Sequence, residues 1–265
     1  MPASERAFRF SRLDLKARLA AGEALLGVLV RLSGDDLVEM CGWTGFDFVV
    51  IDCEHGPADV ALLRQHIIAA ELHGMPAVVR LGSAEPALAL RAMDQGAAGV
   101  LAPHLDTVAD AEALVASVHY PPLGQRGFAA YTRAGDFGTA DPTELRQAYL
   151  ERTLVLGMIE SPTAVANAHD IIATPGLDGI MIGPADLRAA SGPDDPPPSD
   201  SMAAVNAELR AQGACRMDIV AHPGAARAAF EDGANLVVYN LMHAMVAMLA
   251  DLNIARPERP PPDAG

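Results

Sequence analysis

The sequence is almost without lysine. Of its 19 basic residues only Lys16 is a lysine, and Lys16 lies ahead of the first predicted strand. A Schiff-base mechanism requires a lysine amine inside the substrate pocket. The position of Lys16 therefore excludes this route for a carbonyl substrate.

Cysteine and basic residues are also scarce. Cys41, Cys53 and Cys215 are widely spaced and form no CxxC or zinc pattern, so they are interpreted as reduced thiols of a cytosolic protein. The net charge of -15 argues against nucleic acid or an anionic membrane as a partner, because both require a basic face.

Long apolar runs are missing too. The longest, Leu236–Ile254, is interrupted by asparagine, histidine and aspartate, which makes it too polar for a spanning helix. The N-terminal residues contain no apolar segment of the kind found in secretory signals. We therefore expect a soluble, cytoplasmic protein.

Short apolar runs of strand length alternate with amphipathic segments of helix length. The runs are Leu25–Leu32, Phe46–Asp52, Ala77–Leu81, Gly99–Pro103, Thr153–Glu160, Gly179–Gly183, Met217–Ala221 and Asn235–Asn240. Eight such units predict an α/β protein, a (β/α)₈ TIM barrel over residues 1–255. The alternative, a doubly wound open sheet, lacks a Gly-x-Gly-x-x-Gly after its first strand. Residues 256–265 are rich in proline and predict a disordered tail.

Three segments depart from this alternation. Tyr120–Asp141 predicts a long loop, which in a compact domain is usually functional or mobile, and Ser191–Ser201 predicts a Pro/Asp-rich connection. The final helix, Leu241–Leu252, is apolar on most faces and should be buried on more than one side. It packs either under the barrel or against another subunit, and the second interpretation is slightly favoured.

Two carboxylates follow consecutive predicted strands. Glu160 closes the fifth apolar run, and Asp186 comes shortly after the sixth. Active sites of such barrels lie at the C-terminal ends of the strands, so both side chains should share one rim. Carboxylate oxygens suit Mg²⁺ or Mn²⁺. Alternatively, Glu160 pairs with Arg80, and Asp186 caps the next helix.

Further polar side chains are expected on the same rim, and their number favours the interpretation that the protein is an enzyme. Asp52 and His55 follow the second strand, where a carboxylate near a histidine predicts a general base. In the alternative interpretation, His55 only caps its turn. Arg80 ends the third strand and predicts a fixed positive charge for an oxyanion, or a salt bridge with Asp52 or Glu54.

Four motifs give the sequence a specific resemblance. They are Phe46-Asp-Phe-Val-Val-Ile-Asp-Cys-Glu-His-Gly-Pro57, Tyr120-Pro-Pro-Leu-Gly-Gln-Arg-Gly127, Ile159-Glu-Ser-Pro162 and Gly176-Leu-Asp-Gly-Ile-Met-Ile-Gly-Pro-Ala-Asp-Leu187. In this order they resemble the HpcH/HpaI aldolase family, over about Leu25 to Leu252. The resemblance implies a barrel of the phosphoenolpyruvate/pyruvate type and class II, metal-dependent aldol chemistry on pyruvate. It also implies a homohexamer, a trimer of dimers, in which a C-terminal helix is exchanged between subunits.

The resemblance assigns roles to individual residues. It places a divalent metal ion (Mg²⁺, Mn²⁺ or Co²⁺) on Glu160 and Asp186, and the base on His55 with Asp52 as its partner. Arg80 would stabilise the enolate, and Asp94 would raise the basicity of the histidine. Substrate would bind along the backbone of Gly183, Pro184 and Ala185.

The sequence departs from the family pattern near the expected substrate. Met158 replaces a glutamine at the substrate position two residues before Glu160, and Cys53 replaces a common glycine. His104 stands where many members have methionine, and Arg188 where many have serine. Arg188 and Arg126 either bind a more anionic substrate or balance acidic loops.

Three functions are compatible with this set of residues. The first is an aldolase acting on a 2-oxo-4-hydroxy acid, with pyruvate and an aldehyde as the other reactants. The second is an oxaloacetate decarboxylase that uses the same metal and enolate. The third is a catalytically silent relative that only binds.

Overall fold

Eight parallel strands close into a barrel in chain order, which confirms the predicted (β/α)₈ architecture. A computed structural model describes residues 14–82 and 85–255, so the predicted tail 256–265 lies outside the described residues. The strands are β1 Leu25–Val30, β2 Phe48–Asp52, β3 Ala77–Arg80, β4 Gly99–Ala102, β5 Leu154–Ile159, β6 Gly179–Ile182, β7 Cys215–Val220 and β8 Leu236–Asn240.

One helix precedes the first strand, and one or two helices follow each strand. They are α1 Leu15–Ala20, α2 Asp35–Trp43, α3 Val60–Leu72, α4 Pro86–Asp94, α5 Val108–Val118, α6 Pro142–Arg152, α7 Pro162–Ala166, α8 Ala168–Ile172, α9 Pro184–Ala190, α10 Pro198–Gln212, α11 Pro223–Glu231 and α12 Leu241–Asn253. The predicted connection Ser191–Ser201 was drawn too long, because α10 already begins at Pro198. Proline suits the first helical position, where its missing N–H would have no partner within the helix.

The period of two along each strand separates two layers of core. Val49 and Ile51 of β2 belong to the layer between strands and helices. Phe48 and Val50 alternate with them and fill the barrel interior. Gly27 of β1 makes room for Phe48, since a Cβ at Gly27 would lie 2.7 Å from its ring.

The same alternation directs the side chains at the ends of β2, β3 and β5 towards the barrel axis. Asp52 continues the interior series Phe48–Val50, and Arg80 continues that of Val78. Asp52 and Arg80 are direct neighbours in the β2–β3 register. Glu160 follows Leu156 and Met158 of β5 in the same way. The top layer of the barrel is therefore charged, whereas the layers beneath it are apolar.

The long loop Tyr120–Asp141 lies at the opposite end of the barrel. It follows the C-terminus of a helix, and in a (β/α) unit that end is beside the N-termini of the strands. Arg133 ties the loop to Glu71 at the end of α3 and to the Gln95 carbonyl after α4, at 2.7 Å from the latter. Within one chain this loop is therefore not part of the rim that carries Glu160.

The last helix, α12, is exposed rather than buried. It has no buried residue, and its residues Val246 and Leu252, like Ile254 directly after it, are each more than 60% exposed. The interpretation that α12 packs under the barrel is wrong for the single chain. Despite this apolar surface, no helix in the described part of the chain is long and apolar enough to cross a membrane.

Candidate active site

A buried carboxylate between two guanidinium groups forms one side of the rim. Asp52 is fully buried and accepts two hydrogen bonds from Arg80, from Nε at 2.9 Å and from Nη2 at 2.6 Å. Arg31, directly after β1, donates to the same carboxylate at 2.5 Å. Burial alone would raise the pKa of Asp52, but the bonds and charge of Arg80, followed by Arg31, lower it overall. Asp52 is therefore ionised, and it fixes both arginines.

The predicted pairing of Asp52 with the His55 ring is not present. Asp52 Oδ1 accepts the backbone N–H of Glu54 and that of His55, at 3.1 and 3.2 Å, so this carboxylate caps the turn. The His55 side chain is 59% exposed, and its Nε2 lies 3.9 Å from Glu54 Oε2. The arginines on Asp52 explain the difference, because they occupy the oxygens that would orient the ring. Glu54 is thus the carboxylate that lies beside the His55 ring.

Glu54 also contacts Arg80. Its Oε2 lies 2.9 Å from Arg80 Nη1 but makes no aligned hydrogen bond within the described residues. The two salt bridges considered for Arg80, with Asp52 or with Glu54, are thus both formed. A guanidinium carries five N–H donors, so these contacts leave donors available to a substrate oxyanion.

Glu160 is the buried carboxylate on the other side of the rim. Its Oε2 accepts the backbone N–H of His104 at 3.1 Å, and His104 Nδ1 lies 3.3 Å from the same oxygen. Burial raises the pKa of Glu160; the His104 N–H opposes this, and the negative charges of Asp186 and Glu54 add to it. The alternative interpretation paired Glu160 with Arg80, but these two side chains do not form an ion pair.

Gly183 presses closely against Glu160. A Cβ at Gly183 would lie 2.3 Å from Glu160 Oε1, so any larger residue at this position would clash with the carboxylate in its observed position. Pro184 begins α9 and is half-buried, whereas Ala185 and Asp186 are exposed. The turn therefore brings an exposed carboxylate to the neighbourhood of a buried one.

The rim has an excess of negative charge that a divalent cation would balance. Its carboxylates are Asp52, Glu54, Glu160 and Asp186, and its guanidinium groups are Arg31 and Arg80. Oxygen donors of this kind suit Mg²⁺ and Mn²⁺, which use one or two protein carboxylates and take further ligands from water or substrate. Across residues 14–82 and 85–255 no three His, Cys, Asp or Glu side chains form a closed metal cluster. The residues thus fit an open metal site rather than a closed structural one.

Asp94 lies far from this rim. It is the last residue of α4, five positions before β4 begins, so it belongs to the opposite end of the barrel. Its Oδ1 accepts from Arg126 Nη2 at 2.7 Å, and the Arg126 guanidinium lies 4.6 Å and 4.9 Å from the ring centres of Tyr120 and Tyr149. Within one chain Asp94 therefore does not approach His55, and its predicted action on that histidine stays a prediction. Arg126 is buried and does not reach the rim, so within the chain it cannot bind substrate there.

Three other predicted positions surround the site. Met158 is buried in the barrel interior directly beneath Glu160 and makes an apolar floor. Cys53 is half-buried, and burial, with Asp52 and Glu85, raises the pKa of its thiol to about 12, which keeps it unreactive. Arg188 is exposed and donates to the Pro184 carbonyl at 3.1 Å.

Sequence reasoning missed Arg31 as a partner of Asp52, and it considered Glu54 as a partner of Arg80 but not as a neighbour of His55. Arg31 had a signal, because it is a charge within the apolar run Leu25–Leu32 and shares the inward parity of Leu25 and Leu29. Glu54 stands in a turn, where parity gives no direction. His104 was noticed at the end of the fourth strand and as a departure from the family pattern, but nothing in the sequence predicts its left-handed backbone, with a φ of 56°.

The family model of the HpcH/HpaI aldolase/citrate lyases matches residues 25–244. The chain belongs to this family. A pyruvate aldolase of Rhizobium etli is 37% identical to it over 191 residues, which are 72% of this chain and 74% of the relative. As a member of the HpcH/HpaI family, the protein is a carbon–carbon lyase.

Solved structures agree with the fold. An HpcH/HpaI aldolase/citrate lyase family protein from Burkholderia cenocepacia is 30% identical, with a TM-score of 0.84 over 92% of this chain and all of that one. A citrate lyase beta subunit from M. tuberculosis, solved with oxaloacetate and magnesium, is 17% identical, with a TM-score of 0.51 over 86% of this chain and 96% of that one. The second likeness concerns the fold alone.

Proposed function

We propose that this HpcH/HpaI family member is a metal-dependent class II aldolase. It would cleave or form the carbon–carbon bond between pyruvate, as its enolate, and an aldehyde, with a 2-oxo-4-hydroxy acid as the joined compound. The proposal depends chiefly on one observation, the surplus of carboxylates around a guanidinium held rigid at the barrel rim. Such a rim suits a cation and an oxyanion together.

Glu160 and Asp186 would hold the ion, Mg²⁺, Mn²⁺ or Co²⁺. When bound, it would supply Lewis acidity towards the 2-oxo oxygen of the substrate. Arg80 adds a second positive charge whose direction is fixed by its two bonds to Asp52. Because Asp52 is buried and ionised, Arg80 needs little reorganisation to stabilise the developing enolate oxygen.

His55 would remove the proton of the 4-hydroxyl group, directly or through water. Its ring is exposed to the rim, and Glu54 is the carboxylate positioned to influence it. Loss of this proton turns the hydroxyl carbon into the aldehyde carbonyl, while the electrons of the broken bond form the enolate. The backbone of Gly183, Pro184 and Ala185 would bind the substrate carboxylate, and Met158 would close the floor.

The test follows pyruvate release from a panel of 2-oxo-4-hydroxy acids of different length and charge. We expect activity to disappear with EDTA and to return with Mg²⁺, Mn²⁺ or Co²⁺. Glu160→Ala should be inactive with every metal. Unchanged activity in EDTA would exclude the metal-dependent mechanism.

A second candidate is oxaloacetate decarboxylation at the same site. It is favoured by the finding that Asp52 is engaged with two arginines and does not orient the His55 ring, because decarboxylation requires no base for a hydroxyl. His55→Ala distinguishes the two reactions. It should largely spare decarboxylation and should lower retro-aldol cleavage by about 10²–10⁴-fold, the usual contribution of a general base.

The assembly also belongs to this proposal. Helix α12 exposes Val246, Leu249 and Leu252, which a second copy of the chain would cover in a homohexamer. Light scattering should give six times the mass of the chain. Leu249→Asp should lower this mass, and a monomeric wild-type protein would contradict the assembly.

A further inference from the structure

His104 has a backbone conformation that calls for an explanation. It follows β4 at the active rim and has a φ of 56°, in the left-handed region that residues other than glycine rarely adopt. This conformation points its N–H at Glu160 Oε2, 3.1 Å away. Strained residues of this kind cluster at functional sites. The strain here serves to bring His104 against the buried carboxylate.

The ring of His104 also faces the carboxylates. Nδ1 lies 3.3 Å from Glu160 Oε2, and Nε2 lies 4.0 Å from Glu54 Oε1. The contact between Nδ1 and Glu160 is close, yet it is not among the aligned hydrogen bonds of the site. Two donors that each lie about 2.1 Å from one ion are separated by roughly 3.0–3.4 Å at octahedral or tetrahedral angles. The ring nitrogen is thus spaced from Glu160 as a neighbouring ligand would be.

We propose that His104 supplies a nitrogen ligand to the divalent ion held by Glu160 and Asp186. This rests on the proposed function, which places that ion at the rim. Glu160 is fixed by burial, whereas the His104 ring is 55% exposed and Asp186 is exposed, so both can rotate towards an ion. Such rotation is required, because no closed cluster of three ligands exists in the described residues.

The consequence is a definite coordination and metal preference. Glu160, Asp186 and the His104 imidazole would hold the ion, and its remaining positions would be open to a 2-oxo acid and water. Imidazole favours Co²⁺, Ni²⁺ and Zn²⁺, whereas a site made only of oxygens suits Mg²⁺ and Mn²⁺. His104 should therefore strengthen Co²⁺ binding much more than Mg²⁺ binding.

Calorimetric titration of the full chain with Co²⁺ and with Mg²⁺ tests this preference without measuring activity. His104→Met keeps a side chain of similar length but removes the nitrogen. We expect it to weaken Co²⁺ binding by about 10- to 100-fold, the range seen when groups around a metal are lost, and Mg²⁺ binding by less than about threefold. His104→Gly, which relaxes the left-handed backbone and keeps the N–H to Glu160, should show the same selective loss.

A spectroscopic measurement identifies the ligand itself. In Mn²⁺-loaded protein, electron spin echo modulation from ¹⁴N should be present in the wild type and in His55→Gln, and lost in His104→Met. Modulation that survives in His104→Met, or an unchanged ratio of Co²⁺ to Mg²⁺ affinity in His104→Gly, would overturn the assignment of His104. If instead the wild type binds neither metal, or if Glu160→Gln leaves both affinities unchanged, the proposed metal site itself is excluded.

Discussion

The two ends of the barrel use the same residue types in different ways. At each end a buried arginine pairs with a carboxylate, Arg80 with Asp52 at the active rim and Arg126 with Asp94 at the opposite end. Arg126 is enclosed by two tyrosine rings, and its charge is matched by one partner. Arg80 instead stands among more carboxylates than it can neutralise, including Glu54 and Glu160.

The difference shows what separates a structural ion pair from a chemical site. A buried pair with balanced charge is costly to break and has little further affinity for ligands. A cluster with unbalanced charge raises the pKa of Glu160 through burial and through its acidic neighbours, and that repulsion is relieved when a cation binds. The active rim therefore gives up stability for binding, whereas the opposite end does not.

The largest effect should come from Glu160→Gln. We expect lyase activity to fall by at least about 10³-fold, because the loss of a charge-stabilising group in the transition state has effects of this size. The folded metal-free protein should become more stable, since a carboxyl group with a raised pKa destabilises the fold at pH values where it is ionised. Steady-state kinetics and thermal unfolding at pH 7 in EDTA measure both effects. A lower melting temperature would contradict the picture of unbalanced charge.

At the opposite end of the barrel, Arg126→Met should lower the stability of the fold, whereas Glu160→Gln should raise it. Arg126→Met leaves the Asp94 carboxylate without its partner and removes the stacking on Tyr120 and Tyr149. We expect a loss of about 3 kcal/mol in unfolding free energy, in the range for a broken buried pair. Chemical denaturation measures it, with Arg210→Met as a control, because Arg210 is exposed and should leave the midpoint unchanged. Equal losses in the two variants would mean that the buried Arg126–Asp94 pair contributes no more stability than an exposed arginine.

Gly183→Ala tests the close packing at the active rim. The added methyl group would meet Glu160 Oε1 and force that carboxylate to move. Displacement of a catalytic group by about 1 Å can cost about 10²-fold, so we expect activity to fall by roughly 10- to 100-fold. The matched control is Gly34→Ala, near the end of β1, where an added Cβ would meet no described atom within 4 Å. The two variants should unfold at similar temperatures, and equal activities would contradict the account of Gly183.

The smallest effect should come from His66→Leu, midway between the two ends on α3. His66 is buried, and its ring nitrogens have no hydrogen-bond partner among the described residues. Burial lowers its pKa below the usual 6.5, so on acidification the unfolded chain takes up the proton first and stability falls below about pH 6.5. The variant should flatten this dependence by up to about 1.4 kcal/mol per pH unit, measured by denaturation between pH 5 and 8. An unchanged slope would mean that His66 is not the group that titrates.

The strands could be predicted closely because they are buried on both faces. Parallel strands of a barrel appear in the sequence as short continuous apolar runs. The predicted run Ala77–Leu81 contains the observed strand Ala77–Arg80, and the predicted run Thr153–Glu160 contains the observed strand Leu154–Ile159. Side chains alternate between the inside and the outside of the barrel along each strand, and this alternation predicts that Asp52, Arg80 and Glu160 lie on one rim. This much of the site is encoded locally.

The remaining errors concern contacts between distant parts of the chain. The pairing of Asp52 with two arginines instead of the His55 ring depends on β1 and β3 lying on either side of β2, which no local pattern reveals. Asp94 was expected to act on the rim histidine and Arg126 was considered for substrate binding, although both follow or end a helix, which in this fold directs them to the other end. The helix α12 was apolar enough to predict burial, but within the single chain it has no buried residue.

The lone lysine has a practical consequence. Lys16 lies on α1 and contacts Asp178 Oδ1 at 2.8 Å, and Asp178 Oδ2 accepts the Val155 N–H at the start of β5. Its amine is therefore at the base of the barrel, far from the rim of Glu160 and His104. Besides the N-terminal amine, an amine-reactive fluorophore would find only this one lysine side chain, so a label on Lys16 could follow unfolding or assembly from the end of the barrel opposite the rim.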